Sequence, residues 1–180
     1  MLLYVDDALV VSEYGENFLR NELGKRFELK EESIGPPKIY LGEKMSKVTM
    51  ENDATAWTFS LSQYVQAAVK NVEKYCEEND VKLPPRAETP LTSNYRPEID
   101  ASPELSPTDA AYYQSLIGIL RWMVELGRVD ICCEVLMMSS HLALPREGHF
   151  AQLFRIFAYL KKYHNSEMVF NPSDPAVDEK

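Results

Sequence analysis

The chain has 180 residues and 45% hydrophobic content, enough for one domain or one and a half with a real core. Its net charge of −9 disfavours a simple nucleic-acid-binding module, which carries a basic surface. No apolar run approaches the roughly 20 residues that span a bilayer, and no basic segment leads into the apolar start as in a secretory leader. The expectation is therefore an intracellular protein, neither secreted nor membrane-bound. Cys76, Cys132 and Cys133 lack metal-site spacing and read as reduced, with the adjacent pair as two small core residues.

In chain order, Leu2-Leu3-Tyr4-Val5 and Ala8-Leu9-Val10-Val11 flank the adjacent acids Asp6 and Asp7. Two short apolar runs around a polar pair predict a buried β-hairpin with the carboxylates at its turn. Bare carboxylates are costly to bury, so they call for water or a cation, and two oxygens on a rigid apolar base suit a hard divalent ion such as magnesium. The plain alternative is an Asx-type turn in which both aspartates serve their own backbone. Asn17 is placed to cap a helix to about Arg26, with Leu19, Leu23 and Phe27 on one face. Lys25, Arg26 and Lys30 follow, either as favourable charge at a helix end or as a basic group near nucleotide phosphates. After the Gly35-Pro36-Pro37 stop, Ile39–Val48 and Trp57–Leu61 read as a second hairpin around a polar turn at 51–53. Ser60–Gln63 resembles a capping box. The helix it opens runs to Cys76, with Val65, Ala68, Val69, Val72 and Cys76 as a packing stripe.

Residues 77–109 contain six of the eleven prolines and little apolar periodicity, so they read as an extended, stiff connector without a fold of its own. From Ala110 the pattern is helical: Tyr112, Leu116, Ile119, Leu120 and Met123 share a face, Ile131–Leu144 forms a second helix, and Gly148–Tyr163 a third. The last sets Phe150, Leu153, Phe154, Phe157 and Leu160 on one side, with Gln152, Arg155, Lys161 and Lys162 elsewhere. The tail of residues 166–180, with Pro172 and Pro175, reads as frayed.

The order of these pieces resembles the C-terminal part of a copia-type retrotransposon reverse transcriptase. Leu3-Tyr4-Val5-Asp6-Asp7 with Leu9-Val10-Val11 is similar to the family's catalytic hairpin. Phe27-Glu28-Leu29-Lys30, Gly35 and Tyr40-Leu41-Gly42 follow its Phe-x-Met-Lys…Gly…Phe-Leu-Gly run. Leu61-Ser62-Gln63-Tyr64-Val65 is similar to its Leu-Ser-Gln-x-Tyr-Ile step, one residue shorter. Thr89-Pro90-Leu91, Tyr113-Gln114-Ser115-Leu116-Ile117-Gly118 with Leu120, Arg128-Val129-Asp130-Ile131 and Pro145…His149…Tyr159-Leu160-Lys161 complete the series. Arg128-Val129-Asp130-Ile131 carries valine where the family has proline.

The resemblance implies an α+β chain: a partial polymerase palm of two β-hairpins plus a helix, followed by an all-helical thumb- or connection-like part. Residues 1–61 would be the C-terminal half of the palm with the catalytic and primer-grip-like hairpins, 62–76 a thumb-like helix, 77–109 the connector and 110–165 the helical bundle. It implies RNA-directed DNA polymerisation on a template-primer with deoxynucleotides, in the cytoplasm or in retrotransposon particles, using two Mg2+ ions. Asp6 would be a metal ligand and Asp7 a second or supporting one. Tyr4 and Val5 would line the floor under the primer terminus, and Lys30, with Lys25 as rival, would stand near the departing phosphates. A two-metal site of this kind takes another aspartate from an earlier palm strand and also needs fingers. The expectation is that this chain alone does not polymerise and that its hairpin has an exposed edge. A non-catalytic helical scaffold is the alternative. A metal hydrolase built on His141, His149 and His164 is disfavoured, because their spacing matches no helical ligand pair.

Overall fold

The computed structural model describes residues 1–172, and residues 173–180 of the predicted tail lie outside the described residues. Two sheets and a helical bundle make up an α+β arrangement. Strands β1 (Leu2–Tyr4) and β2 (Asp7–Leu9) form a separate two-stranded hairpin. Strands β3 (Ile39–Tyr40), β4 (Glu43–Thr49), β5 (Thr55–Ser60) and β6 (Glu167–Phe170) form a four-stranded antiparallel sheet in that order. Helices α2 (Ser62–Glu78), α3 (Pro107–Glu125), α4 (Cys132–Ser139) and α5 (Glu147–Lys162) enclose the core. No helix among the described residues is long and apolar enough to cross a membrane.

The bundle forms where the apolar periodicity is strongest. In α2 the stripe Val65, Ala68, Val69, Val72 and Cys76 is buried, as expected from its spacing. In α3 the buried face is Tyr113, Leu116, Ile117, Leu120 and Met123, so Tyr113 and Ile117 replace the expected Tyr112 and Ile119, which are only partly buried. Helix α5 buries Phe150, Leu153, Phe154, Phe157 and Leu160 together with His149, Ile156 and Ala158. Each such Leu, Ile or Phe contributes roughly 1.5–3 kcal/mol over its exposed state, so this face dominates the energetics. Tyr113 Oη donates 2.8 Å to the Met138 carbonyl and ties α3 to α4.

Local chemistry sets the helix ends. Ser106 caps α3 by accepting from Asp109 N–H at 3.2 Å, with Pro107 in the first turn. At its other end Gly127 (φ 106°) turns left-handed, and Arg128 N–H donates back to the Met123 carbonyl at 2.9 Å, a Schellman closure. Helix α2 closes the same way through Asp80 (φ 53°), with Val81 N–H bonded to the Cys76 carbonyl. The capping box expected at Ser60–Gln63 does not form. Helix α2 starts at Ser62 without a side-chain cap, and Ser62 Oγ instead lies 2.8 Å from His164 Nδ1.

Five further expectations are corrected. The segment 77–109 is not a free connector but a strap across the bundle: Ala87 and Pro97 are buried, and Leu83, Leu91 and Tyr95 pack on the core. The polar edge of α5 pins it, through Gln152 Oε1 to Thr92 N–H (3.0 Å), Arg155 Nη2 to Thr89 Oγ1 (3.1 Å) and Tyr163 Oη to Glu88 Oε2 (2.8 Å). The tail is not wholly frayed, and the second half is not all helical. Residues 167–170 return as β6, with Trp57 opposite Phe170 and Phe59 opposite Met168. Apolar Met168, Val169 and Phe170 supply the strand pattern. The helix expected from Asn17 is a single turn, α1 (Gly15–Phe18), continued by a π-turn over Leu19–Leu23. None of its residues is buried, so no packing sustains it. Finally, Cys132 is half-buried and Cys133 exposed, because they precede the buried face of α4 at Val135 and Met138.

The strap also closes the start of α5. His149 Nδ1 accepts from Arg146 N–H (3.1 Å) and its Nε2–H donates to the Pro97 carbonyl (3.0 Å), which fixes the tautomer. Ser102 Oγ accepts from Gly148 N–H at 2.8 Å. Asp100 accepts from Ser102 Oγ–H, Tyr95 Oη (2.7 Å) and Ser102 N–H (2.9 Å), and against the opposing effect of burial these bonds hold its carboxyl down at about 2. A Cβ on Gly148 would stand 1.9 Å from Asp100 Oδ2. Gly148→Ala should therefore destabilise the fold by at least about 2 kcal/mol in urea unfolding. Gly118→Ala, on an open stretch of α3, should stabilise it by up to roughly 1 kcal/mol.

Candidate carboxylate hairpin

Tyr4-Val5-Asp6-Asp7 folds as a two-residue turn. Leu2 faces Leu9, Leu3 faces Ala8, and Tyr4 faces Asp7 across the strands, leaving Val5 and Asp6 at the tip. Val5 has φ 49°, a left-handed conformation that a β-branched residue resists. Asp6 and Asp7 are both exposed. The hairpin that was expected to be buried is largely open. Leu2, Leu3 and Tyr4 are exposed and Val5 is 81% exposed, while Leu9 at 8% is the hairpin's buried anchor. The reason is physical: β1 and β2 pair only with each other, so their apolar side chains have no second sheet layer to enter.

One ring contact and one charge interaction reach the hairpin. The Tyr4 ring lies 5.9 Å, centroid to centroid, from that of Trp122 on α3. Asp7 stands near Tyr40 on β3, whose hydroxyl is pushed up first by burial and then by the aspartate's charge. The hairpin thus touches the bundle through Trp122 and acts on the second sheet through the charge of Asp7. A groove of about 480 Å³ runs beside it, lined by Met1, Val10, Val11, Tyr14 and Phe18, and contains neither aspartate.

Lys30 is exposed just before the 3-10 turn Glu31–Ser33. Its rival Lys25 pairs with Glu22 at 3.2 Å on the π-turn. Sequence reasoning passed over Arg20, which grips both Glu16 (3.0 Å) and Glu31 and so ties the Lys30 segment to the helix. Charge spacing at i and i+4 was the available signal. It also passed over Arg128, a buried guanidinium held by Asp130 through Nε (2.8 Å) and Nη2 (2.7 Å), with Tyr159 donating to the same carboxylate. This clamp holds the turn between α3 and α4 and lies where the sequence carried its Arg-x-Asp-Ile step.

The donor set decides what the hairpin can hold. Magnesium and calcium take six or more oxygens, and a two-metal centre takes more than two carboxylate residues. Among the described residues no group of three or more His, Cys, Asp or Glu is placed to hold a metal ion. Asp6 and Asp7 offer carboxylate oxygens to a hard cation but do not make a two-metal centre with the described residues alone. The histidines give no rival site. His141 and His149 come within 4.2 Å, ring to ring, closer than their spacing suggested, yet both nitrogens of His149 are already bonded. His164 Nδ1 is engaged by Ser62 and Gln66.

The chain is similar to the retrovirus-related Pol polyprotein from transposon TNT 1-94 of Nicotiana tabacum, 28% identical over 187 residues, covering 98% of this chain and 13% of the relative. It is also similar to a Saccharomyces cerevisiae protein ascribed to transposon Ty5-1, 31% identical over 161 residues, covering 88% of this chain and 47% of that protein. The chain thus spans about half the length of one relative and about an eighth of the other. No family model matches it, and no solved structure does. The two likenesses support a retrotransposon origin.

Strain at the tip is testable. Val5→Asn, a residue that tolerates the left-handed region, should slow hydrogen exchange of the hairpin amides by roughly threefold or more without changing exchange in α5. Trp122→Ala should speed exchange of the same amides.

Proposed function

We propose that this chain is part of the reverse-transcriptase region of a copia-type retrotransposon Pol polyprotein. In this reading β1–β2 is the catalytic hairpin of the palm, the β4–β5 hairpin is primer-grip-like, and the helices form a thumb- or connection-like part. The observation that carries the reading is the Tyr-x-Asp-Asp turn itself. It forms a tight hairpin with Asp6 at the tip and Asp7 opposite Tyr4, in a chain whose likeness to a transposon Pol polyprotein covers 98% of its length.

The reaction of such a region is attack of a primer 3′-hydroxyl on the α-phosphate of a deoxynucleotide, with pyrophosphate leaving. Asp6 and Asp7 would supply negative charge at the reacting centre, Tyr4 and Val5 would support the primer terminus, and Lys30 would neutralise the departing phosphates. The described residues do not complete a magnesium centre, so the remaining acidic ligand belongs to another segment. We therefore expect residues 1–180 alone not to extend a primer.

A specific observation also favours the scaffold alternative, a non-catalytic bundle that binds a partner. The core lies almost wholly in the helices, so the bundle does not need the aspartates in order to fold.

Two measurements separate these readings. The transcript is read upstream of the Met1 codon, and any continuous frame is expressed and assayed for primer extension on an RNA template. The polymerase reading expects an upstream strand bearing another aspartate, and extension that falls at least about a hundredfold in Asp6→Ala. An uninterrupted frame whose product is inactive, or is indifferent to Asp6→Ala, would favour the scaffold. Magnesium-dependent extension by residues 1–180 alone, lost in Asp6→Ala, would overturn the incomplete-site part.

A further inference from the structure

Glu43 opens β4 and is 4% exposed, a degree of burial unusual for a glutamate. It stands across from Tyr40 and lies on the same face of its strand as Met45. Met45 pairs with Phe59, and Phe59 with Met168, so this face continues across β5 to β6. Gly127, in the Schellman turn that ends α3, is one point of contact between this face and the bundle. A Cβ there would stand 2.9 Å from Met168 Cε and 3.9 Å from Glu43 Oε1. The Glu43 carboxyl is therefore wedged between the second sheet and the α3–α4 corner.

Nothing on the surrounding elements neutralises it. Arg128, the next residue along the corner, is bonded to Asp130 through Nε and Nη2, and its buried Nη1 makes no hydrogen bond to Glu43 or to any other described residue. Tyr40 on β3 has Asp7 beyond it, which adds negative charge, and Glu167 on β6 precedes Met168. On its own strand Lys44 is exposed and Lys47 lies over the Trp57 ring at 4.9 Å. Burial with no compensating cation pushes the Glu43 carboxyl up to about 7.

We infer that Glu43 is a proton-controlled latch: protonated, it seats the β3–β4 end of the second sheet on the Gly127 corner, and ionised, it unseats that end. Tyr40 lies opposite Glu43, so unseating β3 also moves the phenol on which the charge of Asp7 acts. The inference needs no catalysis and stands whether or not the polymerase reading holds.

The direction follows from linkage. A carboxyl raised in the folded state contributes stability that is complete below its unfolded value, near 4.5, and is lost as pH rises through about 7. Glu43→Gln keeps the shape of the protonated form and removes the titration. The unfolding equilibrium constant of wild type relative to Glu43→Gln should rise at least about tenfold from pH 5 to pH 8, since each unit of displacement is a factor of ten. His141 and the other titrating groups are common to both proteins and cancel in the ratio. Hydrogen exchange at matched pH locates the change. In wild type against Glu43→Gln, amides of residues 39–45 and 127–128 should lose more protection at pH 8 than those of α2 and α5, whose loss is limited to the change in global stability. A ratio constant across this range overturns the inference, and so does a loss of protection spread evenly over the bundle.

Discussion

Helix α5 is the element on which the rest of the structure depends. Its apolar side carries eight buried residues, from His149 to Leu160, into the centre of the bundle. Its polar side does a second job that an amphipathic helix is free to leave undone. Gln152, Arg155, Lys162 and Tyr163 reach out and fix residues 88–92, so a proline-rich segment with little apolar pattern lies flat on the protein. At the helix start the same segment returns the favour: Ser102 receives the Gly148 N–H and Pro97 receives the His149 Nε2–H. Helix and strap satisfy each other's backbone groups, which buried polar atoms require.

Polar groups also determine the two corners of the bundle. Prolines exclude helix from the strap but leave its carbonyls available, and the Pro97 and Pro103 carbonyls are the ones used to hold Arg146–His149. At the other corner, Gly127 supplies the left-handed turn, Arg128 and Asp130 lock it, and Met168 packs where any side chain on residue 127 would stand. Since β6 sits on that corner and pairs with β5, the second sheet is referenced to α3 through a glycine. The pairing joins residues more than a hundred positions apart, so it adds long-range order that neither end of the chain could supply locally.

What the sequence made legible follows from period. Stripes repeating at three and four residues identified the buried faces of α2 and α5, and alternation identified β4 and β5, because burial on one face is what each pattern records. The strap was illegible for the opposite reason: its anchoring is by single polar atoms, and Thr89, Thr92 and Ser102 leave no periodic trace. β6 was missed because a four-residue strand is too short to show a period and its partner is remote in sequence. At the candidate site the hairpin and the place of Asp6 at its tip were read correctly from Tyr-x-Asp-Asp, whereas Asp7 belongs to β2 rather than to the turn, and the exposure of the hairpin was not foreseen. Apolar composition says that a segment would gain from a neighbour, and it does not say that one is there.

That difference bears on how the hairpin can work. Two strands with one buried anchor are marginal on their own, and the turn stores strain at Val5. A reacting centre needs its charged groups held to within about half an ångström, and rigid neighbours rather than intrinsic stiffness supply that in most sites. Here the neighbours are an aromatic ring on α3 and a tyrosine on β3, and each belongs to a different body, the bundle and the second sheet. The hairpin therefore takes its reference from the bundle through Trp122, while the second sheet feels it through the charge of Asp7. The two bodies meet at Gly127, where the buried carboxyl of Glu43 lies without a counter-ion. On the inference drawn above, the charge of this buried carboxyl governs how the two bodies sit on each other and so bears, through Tyr40, on the surroundings of Asp7.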